Sequence, residues 1–131
     1  MKYLLDTHVV DWIQNDVDRL SPKIHSILSE VGPGESAITD VTLTELARHL
    51  IAKRIKTPLP PSRWLQFAIV GIRVLPVTPA IALFAAKLDW KHRDPCDRHI
   101  VATAVVHKLP LLSIDEKIHD LVGVRGLKVI W

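Results

Sequence analysis

Short apolar runs alternate along this chain with apolar stripes at helical spacing. Lys2 to Leu5 reads as a buried strand, and Asp6-Thr7-His8 as the turn at its carboxyl end. Val9, Val10 and Ile13 then recur at the spacing of one helix face. Ser21-Pro22 signals an N-cap followed by proline at the first helical position, opening a helix with Ile24, Ile27 and Leu28 on one side. Val31-Gly32-Pro33-Gly34 ends it. Ser36 to Thr39 is a second strand, short and faintly signalled. Thr42 opens the clearest amphipathic helix, in which Leu43, Leu46, Ala47, Leu50 and Ile51 form the apolar stripe. Glu45, Arg48, His49 and Lys53 fall on its polar side.

Pro58-Leu59-Pro60-Pro61 reads as a rigid connector, and Ser62 as the cap of a helix through Trp64, Leu65, Ala68 and Ile69 that stops near Gly71. Val74 to Val77 is the third strand expected. Thr78-Pro79 repeats the cap signal before Ile81 to Leu88. Asp94-Pro95 repeats it again before a helix burying Ile100, Val101, Ala104 and Val105. Leu109 to Ser113 is the fourth strand, Asp115 to Leu121 a short helix, and Leu127 to Trp131 a fifth strand. Strands alternating with helices predict an α/β fold, with a central parallel sheet of about five strands and helices on both faces. In such sheets ligands bind beyond the carboxyl ends of the strands. Asp6 and Asp115 fall there.

Composition narrows the class. With 131 residues, the whole chain 1–131 is expected to form one domain with a real core. A single cysteine, Cys96, excludes an internal disulfide framework and suits a reducing compartment. Tyr3-Leu4-Leu5 is too short for a signal peptide, and no apolar run approaches the roughly 20 residues of a membrane helix. A soluble, cytoplasmic protein is expected. The net charge is only +3, but no acid lies between Glu45 and Asp89, a segment holding Arg48, Lys53, Arg54, Lys56, Arg63, Arg73 and Lys87. A basic stretch beside acids at strand ends suggests a polyanion platform next to a metal-holding cluster. The plainer reading is a solvated basic surface.

Each acid also has a plain structural reading. Asp94 at the N-cap and Asp97 at the third helical position suit the positive end of their helix, at about 1 kcal/mol each. Thr42-x-x-Glu45 matches a capping box, and Asp115 suits a cap of the short helix after the fourth strand. Asp6 is harder to dismiss, because a buried strand end seldom carries an unpartnered charge. Acids brought together at one sheet edge repel, and a hard divalent cation relieves that repulsion. Mg²⁺ or Mn²⁺ fits carboxylate oxygens, whereas zinc is not expected: there is one cysteine, no His-Glu-x-x-His spacing, and seven scattered histidines. An acid-held Mg²⁺ polarises phosphate and lowers the pKa of bound water. Joined to the basic middle, that chemistry is phosphodiester hydrolysis on nucleic acid.

Four segments carry a family resemblance over almost the whole chain. Leu5-Asp6-Thr7-His8-Val9-Val10-Asp11-Trp12 resembles the opening of the PIN-domain family, and within it the VapC-type ribonuclease toxins. Thr42-Leu43-Thr44-Glu45-Leu46-Ala47 is similar to the family's second acidic motif. The segment from Arg93-Asp94-Pro95-Cys96-Asp97-Arg98 through Ala104 resembles its third, and Leu111-Leu112-Ser113-Ile114-Asp115 its fourth. The resemblance implies a three-layer α/β/α PIN fold and a Mg²⁺- or Mn²⁺-dependent endoribonuclease. It implies Asp6 and Asp97 as direct metal ligands, Glu45 and Asp115 as completing the acidic pocket, and Asp94 as an outer acid or cap. Thr7 and Ser113 are expected to orient the carboxylates by hydrogen bonds. A homodimer is implied, together with an RNA substrate and a small VapB-like antitoxin whose C-terminal segment lies in the groove.

Three positions depart from the family pattern. Cys96 stands where a larger apolar residue is usual, Ser113 replaces a commoner threonine but keeps the hydroxyl, and Asp40 adds an acid, read as a cap or surface charge. None removes a core acid, so an active enzyme is expected. A non-catalytic PIN-like RNA-binding or scaffold protein is the alternative; it would be expected to have lost a core acid. A response-regulator phosphoacceptor would want paired acids after the first strand and a lysine after the last, whereas Lys128 lies inside the final strand. An Asp-x-Asp phosphatase fails because His8 follows Asp6-Thr7, and five scattered glycines make no nucleotide loop.

Overall fold

The computed structural model describes residues 1–121 and 123–131. Five strands form one sheet: β1 (Tyr3–Leu5), β2 (Ser36–Thr39), β3 (Ile72–Leu75), β4 (Leu111–Leu112) and β5 (Val129–Ile130). Their order is β3-β2-β1-β4-β5, and every pairing is parallel. Leu4 pairs with Ala37 on one side and with Leu111 on the other. The chain steps outward from β1 to β3, then returns to the far side of β1 as β4. That reversal leaves a crevice between β1 and β4, the topological switch point at which parallel sheets hold their ligands.

Because side chains alternate across a strand, neighbouring residues enter different cores. Leu5, Ile38 and Leu112 join the core on one face, while Leu4, Ala37 and Leu111 join that on the other. Both faces are covered, as an all-parallel sheet requires. One cover consists of α1 (Thr7–Asn15), α2 (Pro22–Glu30), α3 (Asp40–Ile51) and α4 (Pro61–Ala68), which contribute Val9, Ile24, Leu46 and Trp64. The other has α6 (Pro95–Val106) and α7 (Glu116–His119), which supply Ile100, Val101 and Ile118. Helix α5 (Pro79–Lys87) packs Ile81 and Ala85 against Ala102 of α6. Each large apolar side chain buried this way contributes about 1.5–3 kcal/mol. The result is the three-layer α/β/α fold with a five-stranded parallel sheet that the sequence predicts.

The cap signals at Ser21, Thr78 and Asp94 act as read: each side chain accepts a backbone hydrogen bond at its helix start, with proline behind it. Elsewhere the boundaries move. Helix α3 starts at Asp40, because Thr39 takes the cap by accepting from Thr42 N at 3.1 Å. The Thr42–Glu45 capping box therefore does not form, and Ile51 at the far end of the expected stripe is 73% exposed. Helix α4 starts one residue before Ser62, after Pro60, with no side-chain cap. Strand β3 lies at Ile72–Leu75, two residues earlier than expected; Gly71 turns into it with φ 75° and Pro76 has no amide to extend it. Strands β4 and β5 are two residues each, inside the longer apolar runs. Helix α7 spans only Glu116–His119, shorter than the expected segment.

Candidate active site

The first wall of the crevice is built at the end of β1. Asp6 N donates to Leu112 O across the sheet at 3.0 Å, which fixes the turn into α1. The Asp6 carboxylate is 3% exposed. Its Oδ1 accepts from Thr7 N at 2.7 Å, the cap of α1, and its Oδ2 accepts from Ser113 Oγ at 2.5 Å, past the end of β4. The same Ser113 oxygen accepts from Asp115 N at 3.1 Å. Two strand ends are thus stitched together through one buried carboxylate. Thr7 Oγ1 donates to Glu45 Oε1 at 2.6 Å, so α3 is held to α1 at the same place. Behind it the Thr39 and Thr42 hydroxyls lie 3.1 Å apart in a shared hydrogen bond.

The second wall is the start of α6. Asp94 caps it by accepting from Cys96 N at 2.9 Å, and is exposed. Asp97, one turn in, keeps only 15% of its side chain exposed, and its Oδ2 lies 2.5 Å from His92 Nε2. The segment before α6 is fastened by Arg98, which donates to the carbonyls of Leu88 at 2.6 Å, Trp90 at 3.1 Å and His92 at 3.3 Å. Trp90 packs its ring 4.9 Å from that of His92. Asp115, half-buried, caps α7 by accepting from Lys117 N at 2.9 Å.

Electrostatic interactions connect several of these acids. Burial pushes the Asp97 carboxyl up to about 6; the His92 hydrogen bond lowers it, while Asp94, Asp6 and Asp115 all raise it. Burial also raises Asp6, against hydrogen bonds from Ser113 and Thr7 and the nearby His8, and Glu45 adds to the rise. The Cys96 thiol is raised by burial, then by Glu45 and Asp94, and Arg48 Nη2 comes within 3.5 Å of its sulfur. Asp97 thus feels Asp94, Asp6 and Asp115, while Asp6 feels Glu45, which links acids of both walls near the switch point. Asp40, read as a cap or surface charge, is neither: its Oδ2 accepts from Val77 N at 3.0 Å and ties α3 to the segment after β3.

Beside the acids lies a cleft of about 670 Å³, whose lining includes His8, Trp12, Arg19, His49, Arg54 and Asp115. Arg19 stacks its guanidinium 4.2 Å over the Trp12 ring. The basic stretch does not gather into one platform. Arg48 and Arg54 reach the site, whereas Arg73 lies on edge strand β3 and Lys87 lines a separate groove with Phe84 and Leu88. Two contributors escaped the sequence reading. His92 sits in an aperiodic loop, and Arg98 looks like any surface arginine until its three carbonyl partners are seen.

Fold and site together define an α/β protein with a carboxylate-lined centre at the switch point of a parallel sheet. The PIN-domain model matches residues 3–124, and the chain belongs to the PIN-domain family. It is 32% identical over 118 residues to Ribonuclease VapC22 of Mycobacterium tuberculosis, covering 89% of each chain. Its fold is similar to that of VapBC2 from Rickettsia felis bound to a DNA fragment from their promoter, with TM-score 0.72, 14% identity and coverage of 99% and 98%. It is also similar to VapBC-5 from Mycobacterium tuberculosis, a member of the VapBC family of toxin-antitoxin systems, with TM-score 0.65, 23% identity and coverage of 98% and 97%. No helix among the described residues is long and apolar enough to cross a membrane.

Proposed function

We propose that this protein is a Mg²⁺- or Mn²⁺-dependent endoribonuclease, the toxin of a type II toxin–antitoxin pair. The observation that supports the reading is the electrostatic link between Asp6 and Glu45 at one wall and Asp97, with Asp94 and Asp115, at the other, in a PIN-domain chain similar to a ribonuclease. The donor set suits a hard divalent cation. Carboxylate oxygens predominate, and burial together with Asp94, Asp6 and Asp115 raises the Asp97 carboxyl to about 6, a penalty on its charge that a bound cation would offset. Asp6 and Asp97 would hold the ion from the two walls, with Glu45 and Asp115 completing the pocket. Such an ion supplies Lewis acidity toward phosphate and a more acidic water.

The protein's own groups do the rest. Ser113 and Thr7 fix the Asp6 carboxylate, and Thr7 fixes Glu45, so these acids meet substrate already oriented. Arg54 and Arg19 place positive charge along the cleft beside Asp115, where an RNA backbone would run. His49 is kept toward its neutral form by burial, leaving the guanidinium groups as the permanent cations there. A VapB-like antitoxin, a homodimer, a single domain over 1–131 and a cytoplasmic place of action complete the reading. A scaffold role is not favoured, since no core acid is missing. Sequencing RNA ends after induced expression of the wild type beside Asp6→Asn tests it. New 5′ ends confined to the wild type are expected, and identical end profiles would refute it.

A further inference from the structure

Resting on that reading, we infer that His92 is a nitrogen ligand of the metal centre, which makes it a mixed imidazole–carboxylate site for a first-row transition ion. Donor atoms of His92, Asp94 and Asp97 all lie within 4.8 Å of one another. Donors sharing one ion at about 2.1 Å sit up to about 4.2 Å apart, so shifts of roughly half an ångström would close the set. His92 Nε2 is hydrogen-bonded to Asp97 Oδ2 at 2.5 Å, so the nitrogen is aimed at a carboxylate proposed to hold metal, and an ion between them would replace that hydrogen bond. Asp94 spends Oδ1 on the helix cap, which leaves a second carboxylate oxygen for an ion.

What separates His92 from a histidine that drifts over an acid is its mounting. Arg98 grips the backbone of His92 and of two residues before it, and Trp90 packs against the imidazole. Arg98 stands next to Asp97 on α6, so the element that carries the carboxylate also holds the segment that carries the imidazole. The ring and both acids are therefore fixed relative to one helix start. An imidazole is a poor partner for Mg²⁺ and a good one for later first-row ions, so its presence shifts preference away from Mg²⁺. Mn²⁺, which accepts both donor types, is the probe of choice.

The test is pulsed electron paramagnetic resonance of Mn²⁺ bound to the full chain, with calorimetric titration of Mn²⁺ and Mg²⁺ separately. The wild type should show modulation from a directly coordinated nitrogen, and both His92→Gln and His92→Asn should lose it. Mn²⁺ affinity should fall about 10-fold in the variants while Mg²⁺ affinity changes less than about 3-fold. Circular dichroism of the variants checks the fold. Mn²⁺ bound without nitrogen coupling, coupling that survives in both variants, or tighter Mn²⁺ binding without His92 would each overturn the assignment while leaving the nuclease reading intact. Failure of the wild type to bind either ion would overturn both.

Discussion

The two walls of the crevice solve the same problem differently. At the β1 wall, Asp6 is almost fully buried and both its oxygens are held by protein donors. At the α6 wall, Asp97 and His92 are partly exposed and meet each other across a single contact. The first wall is set by the sheet, and its geometry is as rigid as the strand pairing beneath it. The second is set by a helix start and the loop that Arg98 fastens to it. The two halves of the centre are thus positioned by different layers, one by strand pairing and one by a helix start.

The largest test removes one acid from each wall. Asp6→Asn and Asp97→Asn should each reduce divalent-dependent RNA cleavage by about 10³-fold, since several kcal/mol of charge stabilisation is at stake. Initial rates on a labelled RNA measure it, and near-wild-type rates in either variant would break the symmetry of role between the walls. Chelation of divalent ions should silence the wild type to the same degree, with activity restored on adding Mn²⁺ back.

Stability against pH separates the walls next. The Asp97 carboxyl rises from 3.8 to about 6 on folding, so the folded state binds the extra proton between those values. Its contribution is fully present below about pH 4 and is lost as pH rises through about 6. Metal-free protein should therefore lose about 3 kcal/mol from this group over that window, and Asp97→Asn should flatten the slope and be the more stable protein at pH 7. Urea titrations at several pH values read this directly. Ser113→Ala leaves one Asp6 oxygen buried without its donor, and should cost about 1–3 kcal/mol at neutral pH. Asp94→Ala, which removes an exposed cap, should cost about 1 kcal/mol in the same titrations. Smallest of all, Arg54→Glu should weaken RNA binding and reduce the salt slope by about 1, as measured by fluorescence anisotropy across salt.

The elements most legible in the sequence are those where one residue type has one job. Proline behind Ser21, Thr78 and Asp94 leaves little choice of helix start, and all three helices begin there. Asp6 and Asp115 end apolar runs, so their position at the sheet edge follows from strand direction alone. Boundaries blur where several residues can do the same job. Thr39 and Thr42 both offer a capping hydroxyl, and tertiary packing chooses Thr39, which frees Glu45 to face Thr7. Pro60, Pro61 and Ser62 present the same ambiguity at α4. His92 and Arg98 were not legible because their roles depend on a loop closing over a helix start, and loops carry no period.

The hydrogen bond from Ser113 to Asp6 joins residues 107 positions apart. A ribosome makes Asp6 107 residues before Ser113, a gap of about 5–20 s at ordinary synthesis rates. Until β4 docks beside β1, the acid lacks its orienting hydroxyl, and long-range parallel pairing is slow to form. The strand order therefore sets an order of assembly, in which the buried acid gains its orienting hydroxyl only once the strand on the far side of β1 has been made and docked.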